Sequence, residues 1–351
     1  MNSIQETTAW TGRNRYGAPF SALDFKRQIT VILDRFGESH LHRAKAVGVM
    51  TKKARAYVTY QVFDDIRLAG YALKSVLNLD QRHICAVAEK WRQQQLSAST
   101  IQGRLSILKW FSIAIGKRGL IREPAFYGFE ADDVARTYVA EHDKSWTGNN
   151  VIPAEMIVKA YELDQWVGCQ LELMKEFGLR VTEATLLRPR ASDTGAALVV
   201  ELGTKGGRTR IVKIRTDAQR QLLERAKVLA LSGSRGSMIP ASKTPAQARN
   251  RLYYICRKLG LTKDQLAVTP HGLRHQYAND LYEEVSGVPS AVRGGSAILD
   301  RAADQLARQE VTRDLGHARE SITAAYTGPR KPGRPPVSAL RTDVSGDGSS
   351  E

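Results

Sequence analysis

One stretch interrupts an otherwise helical pattern, and it limits the folds open to this chain. Residues 196–202 (AALVVEL) and 208–214 (RTRIVKI) are β-prone runs on either side of Gly203, Thr204, Lys205, Gly206 and Gly207. Two such runs around a glycine-rich gap fit a β-hairpin, here with a five-residue turn. Elsewhere apolar residues recur at helical spacing. Residues 22–36 hold Leu23, Phe25, Ile29, Ile32 and Leu33 largely on one stripe, and further helices are expected near 52–76, 80–94 and 99–116. The last opens with Ser99 as N-cap and Gln102 in capping-box spacing, and lays Ile101, Leu105, Leu108 and Phe111 along one face. The expected class is mainly α with one small β-hairpin.

A length of 351 residues suits two domains, each able to bury a core. The pattern divides the chain into a loose polar arm (1–20), an all-helical domain (21–122), a linker (123–149), a second domain (150–328) and a Pro, Gly and Ser-rich tail (329–351) expected to be disordered. A change of charge marks the linker. Residues 1–122 carry 20 Lys and Arg against eight Asp and Glu, whereas 123–145 carry two against six and include Pro124 and Gly128.

The net charge is +16, shared evenly: residues 1–145 hold 22 bases against 14 acids and residues 146–351 hold 30 against 22, +8 each. An even spread fits two lobes that both face a polyanion, and nucleic acid is the expected partner. Cys85, Cys169 and Cys256 are far apart and form no CxxC pair, so neither a disulfide framework nor a zinc site is indicated, and no metal or cofactor is expected. No uncharged apolar run approaches the roughly 18 residues of a membrane span, which predicts a cytoplasmic protein without membrane contact.

Four fragments carry residues suited to chemistry on an anion. In EFGLRVTEATLLR, Gly178 caps one helix (165–176) and Thr182 the next, so Arg180 falls at a tight corner. In TPHGLRHQYANDLY, Thr269 as N-cap and Pro270 start a helix whose positive end presents His271 and Arg274, three apart, while His275 points elsewhere and reads as structural. In VTRDLGHARESITAAYTG, Gly316 ends a helix, His317 follows, and Tyr326 lies nine residues on, docked by Ile322 and Ala325. The fourth is Lys205 at the hairpin tip.

Together, in this order, the fragments resemble the tyrosine recombinase family, and the resemblance spans about residues 150–328. It implies a two-domain DNA clamp in which 21–122 is a SAM-like core-binding domain and 150–328 the catalytic domain. It also implies roles: Arg180, His271, Arg274 and His317 hold the scissile phosphate, Lys205 is the general acid, Tyr326 the nucleophile, and Glu183 supports the first arginine. The implied partners are double-stranded DNA attachment sites, a homo-tetramer on synapsed DNA, and DNA-bending or directionality proteins. The implied function is site-specific integration or excision of a mobile element through a 3′-phosphotyrosine, in the cytoplasm and associated with the nucleoid. Two alternatives are a nicking and resealing enzyme like a type IB topoisomerase and a DNA-binding regulator without cleavage.

The residue types suit the reaction. Displacing a 5′ oxygen adds negative charge to the phosphoryl oxygens, and fixed cations stabilise it. Guanidinium stays charged and offers paired donors that an ammonium lacks. A phenol with a reference pKa near ~10 must shed its proton during attack, and the departing alkoxide must gain one. Two features depart from the family pattern. Arg274 and His317 lie 43 residues apart, with an insertion at 283–304 that reads as a surface loop or, through Arg293 and Arg301, as a contact to DNA or a neighbouring subunit. The tail's RKPGRPP faintly resembles a minor-groove AT-hook, although a disordered basic tail is the plainer reading.

Overall fold

The computed structural model describes residues 20–40, 46–295 and 300–329; most of the arm, the tail with its RKPGRPP stretch, and part of the 283–304 segment lie outside them. It is mainly α-helical with one two-stranded antiparallel sheet among the described residues, as the sequence pattern leads one to expect. The chain divides into two compact units between Arg136 and Thr137.

The first unit contains α1 (Phe25–Phe36), α2 (Val49–Leu68), α3 (Gln81–Gln93), α4 (Ala98–Ala114) and a short α5 (Ala131–Val134). Ile29, Ile32, Val62, Ile84, Leu108 and Phe111 meet in its core, so the stripes seen in the sequence face one another. Arg55 lies beneath the Trp110 ring, 4.3 Å from its centroid, and caps the end of α1 by donating to the carbonyls of Gly37 and Ser39. Three boundaries differ from expectation. Helix α1 starts after Asp24, whose carboxylate accepts the Arg27 N–H. Helix α2 stops at Leu68, because Gly70 turns left-handed (φ 89°). Ser97, not Ser99, caps α4, and Gln102 reaches the Val134 carbonyl instead of closing a capping box. Tyr127 and Phe129 belong to this core, while Trp146 belongs to the second, so the acidic segment 123–149 is shared between the units.

The second unit runs α6 (Pro153–Leu163), α7 (Gln165–Phe177), α8 (Val181–Leu186), α9 (Pro189–Ser192), β1 (Ala197–Val200), β2 (Arg210–Lys213), α10 (Asp217–Leu229), α11 (Pro245–Lys258), α12 (Gly272–Ser286), α13 (Arg301–Asp314) and α14 (Ala324–Thr327). Helix α7 starts where Asp164 accepts the N–H groups of Trp166 and Val167, and ends at left-handed Gly178. Leu171, Leu173, Met174 and Phe177 on it are fully buried, each contributing about 1.5–3 kcal/mol through apolar burial. The strands are shorter than the sequence suggests. The register closes at Val200 opposite Arg210, leaving the nine residues 201–209 as the connection in place of a five-residue turn. Along β2 the alternation turns Arg210 and Val212 inward and leaves Ile211 exposed.

Candidate active site

Three backbone corners in the second unit converge on one carboxylate. Arg180 is itself the N-cap of α8, because Glu183 reaches back to accept its backbone N–H at 2.8 Å; Thr182 therefore sits inside the first turn and does not cap it. The same Glu183 side chain, fully buried, accepts from the Arg180 guanidinium and from Arg210 Nη2 at 2.7 Å, with Arg274 Nη1 3.8 Å away. Burial alone would raise its pKa, but Arg210 and Arg274 outweigh that and hold it below the ordinary value. One anion thus organises three guanidiniums.

Arg274 is completely buried. It donates to the carbonyls of Gly178 (2.5 Å) and Leu315 (2.6 Å), and its Nε meets Tyr326 Oη at 3.3 Å. Gly178 is needed at this crossing. Its φ is 58°, and a Cβ would lie 2.5 Å from the Tyr277 ring and 3.0 Å from Leu315. The helix carrying Arg274 starts later than the Thr269 and Pro270 signals imply: the N–H groups of Gly272 and Leu273 bond back to the Thr269 and Pro270 carbonyls, so a tight turn precedes α12 and His271 becomes its N-cap. Gly272 permits this, since a Cβ there would strike Trp146 at 2.7 Å.

Tyr326 is 7% exposed on α14 and is ringed by histidines. The His317 ring stacks on it (centroids 5.3 Å, 25°), His275 tilts against it at 4.6 Å, and His271 lies at 6.3 Å. All three imidazoles are driven toward the neutral form. Burial first and the nearby arginines next lower His271 to about 4 and His317 to about 3; His275 falls to about 3 through burial, His271 and Lys144. His271 is exposed to solvent, His317 is half-buried and His275 is buried.

The structure brings Arg180, Glu183, His271, Arg274, His317 and Tyr326 together. Lys205 lies outside that cluster, exposed in a short 3-10 turn between β1 and β2, though its charge is felt at His317. Two readings need correction. His275 does not point elsewhere: it stands four residues after His271, a spacing that shares a helix face, and packs on the tyrosine. Ile322 is 40% exposed and does not dock Tyr326. Arg210 went unnoticed in the sequence, yet it links β2 to Glu183 and to the carbonyls of Gly178 and Asp314. Its signal is its place on the buried face of a strand, where a charge needs a partner.

Comparison with known proteins adds the relation. The Integrase family model matches residues 143–280. Tyrosine recombinase XerC of Xylella fastidiosa (strain M23) is 28% identical over 269 residues, covering 73% of this chain and 79% of that protein. These likenesses support a place for the chain in the tyrosine recombinase family. Two lambda integrase structures share the fold at 16–17% identity: a dimer of residues 75–356 bound to a COC′ core site (TM-score 0.54, covering 86% of this chain and 95% of that one) and a tetramer bound to a Holliday junction (0.55, 86% and 78%). This recombinase is accordingly an enzyme of DNA recombination. Among the described residues no cluster of His, Cys, Asp and Glu suits a metal ion, and no helix is long and apolar enough to cross a membrane.

Proposed function

We propose that this recombinase cuts and rejoins DNA at specific sites through a covalent bond between Tyr326 and a 3′ phosphate, as part of integration or excision of a mobile element. The observation that carries the reading is the 3.3 Å contact of Tyr326 Oη with Arg274 Nε inside a ring of three imidazoles. It puts a nucleophilic oxygen next to a buried cation and to groups able to accept its proton.

In the first step the phenol oxygen bonds to phosphorus, the bond from phosphorus to the 5′ oxygen breaks, the phenol proton passes to an imidazole, and Lys205 protonates the departing oxygen. Rejoining reverses each transfer with a 5′ hydroxyl as nucleophile, so the ester energy is retained and no external energy source enters. The imidazoles are neutral in the free chain. A bound phosphodiester adds negative charge beside them and raises their basicity when it is needed. Arg274 is roofed by Tyr326, whose ring centroid lies 5.9 Å from its guanidinium carbon, so the phenol must swing aside for a phosphate to reach that arginine. Closure of the two units around a duplex and assembly of four subunits on paired sites belong to the same proposal; lambda integrase, which shares the fold, is known as a tetramer on a Holliday junction.

A pool of nicked suicide duplexes with randomised cores tests this and selects the target sequence in the same experiment. The expected result is a protease-sensitive, denaturant-resistant adduct on a selected sequence, absent in Tyr326→Phe. Relaxation of supercoiled DNA without recombinants between two selected sites would instead favour a topoisomerase-like enzyme. Sequence-selective binding with no adduct would favour a regulator.

A further inference from the structure

The described residues 287–295 of the segment after α12, which the sequence leaves open between a surface loop and a DNA contact, pack on the stretch that carries the tyrosine. Arg293 does not project outward: its Nε donates to Asp143 (3.1 Å), its Nη1 to Asp280 (2.7 Å), and Glu283 lies 3.5 Å from it. Those carboxylates pin the short turn Ala291–Arg293 in place. The turn in turn abuts Gly328, where a Cβ would lie 2.9 Å from Val292 Cγ1 and 3.2 Å from Ala291 Cβ. Just before it, Ser290, fully buried, donates to Asn279 Oδ1 at 2.6 Å, and Asn279 Nδ2 donates to the Tyr326 carbonyl at 3.3 Å. From α13, Arg308 is held by Asp304 (2.8 Å) and donates to Thr327 Oγ1, the Gly328 carbonyl and the Pro329 carbonyl.

We propose that Ser290, Arg293 and Asn279 are positioning residues for Tyr326: the 290–293 turn is a brace that fixes the backbone of the tyrosine segment, its hydrogen bond going to the Tyr326 carbonyl and not to the phenol. The proposal rests on Tyr326 being the nucleophile. The reason is geometric. A four-residue helix cannot hold itself, because isolated helices that short are unstable in water, so the direction of its Cα–Cβ bond is set by what grips its backbone. The brace meets it at Tyr326, whose carbonyl accepts from Asn279, and at Gly328, against which the turn packs. A nucleophile misplaced by an ångström loses about a hundredfold in rate, so loosening the brace slows attack without weakening DNA binding.

The test uses the full-length chain as Ser290→Ala, Arg293→Ala and Arg293→Lys. Hydrogen exchange of the free protein is expected to speed up about tenfold or more in the peptide spanning 320–329 for the two alanine variants, less for lysine, with α7 unchanged. On the selected nicked duplex, adduct formation falls about 10- to 100-fold at saturating DNA, while the concentration giving half-maximal rate stays the same. Unchanged exchange in both alanine variants overturns the brace. A loosened segment with an undiminished or faster rate overturns its positioning role, the faster rate marking a restraint instead. If the wild-type chain forms no adduct, the fault lies with the nucleophile assignment, and the exchange result alone decides the brace. Should Arg293→Ala fail to fold, Ser290→Ala, which removes one hydroxyl, carries the same test.

Discussion

Replacing Glu183 with Gln tests whether one carboxylate holds the arginine cluster together. The side chain is fully buried; it accepts from the Arg180 N–H, the Arg180 guanidinium and Arg210, and faces Arg274 at 3.8 Å. Glutamine keeps the shape but removes the charge and turns an N–H₂ toward a guanidinium, leaving Arg210 and Arg274 buried and uncompensated. Breaking a buried ion pair from one side costs about 3–5 kcal/mol. For a folding unit of this size that corresponds to a fall in Tm of roughly 6–20 °C, read by calorimetry as a shift in the second unit's transition only. The pH dependence has a definite sign. Because the Glu183 pKa is depressed in the fold, its contribution is fully present above its ordinary value of 4.5 and is lost as pH falls through the folded value. The gap between wild type and Glu183→Gln is therefore flat from pH 5 to 8 and closes below about 4.5. Inorganic phosphate should stabilise the variant more than the wild type, since it replaces the missing anion. A gap under about 1 kcal/mol at pH 7, or one that widens on acidification, refutes the reasoning.

The neutral imidazoles of His271, His275 and His317 have folded pKa values of about 4, 3 and 3 against 6.5 unfolded, so the unfolded chain binds more protons below pH 6.5 and stability falls as pH drops from there. His275, 8% exposed, accounts for a contribution on the order of 4 kcal/mol, and His275→Phe should flatten the slope between pH 6.5 and 4 in urea unfolding. Gly178→Ala should cost about 2–4 kcal/mol through overpacking against Tyr277 and Leu315 plus left-handed strain, and a loss below about 0.5 kcal/mol would contradict the crossing described. Lys205→Ala should leave Tm unchanged, because the side chain is exposed, yet slow cleavage about 10²–10⁴-fold. A duplex with sulfur at the bridging 5′ position, whose thiolate leaves without a proton, should restore most of that rate.

The helices and the hairpin were legible because burial imposes a period that survives in the amino-acid order. Leu105, Leu108 and Phe111 face the core where the stripe puts them. Boundaries were not, because caps depend on which of several suitable residues the tertiary structure uses: Ser97 over Ser99, Arg180 over Thr182, His271 over Thr269. The spatial company of Arg180, Glu183, Arg274 and Tyr326 came from the resemblance, since residues so far apart along the chain leave no local trace of contact. Arg210 escapes notice and Arg293 stays open between a surface loop and a contact to DNA or a neighbouring subunit for a single reason: a basic residue in a basic chain reads as solvated until its carboxylate partners are known.

The central claim is that Tyr326 makes and breaks the phosphate bond. Digestion of the denatured adduct and mass spectrometry of the nucleotide-bearing peptide test it most directly. The expected result is the nucleotide on the peptide containing Tyr326, joined through a 3′ phosphate, and no adduct from Tyr326→Phe. A linkage to another residue, or an adduct that survives the substitution, would contradict it.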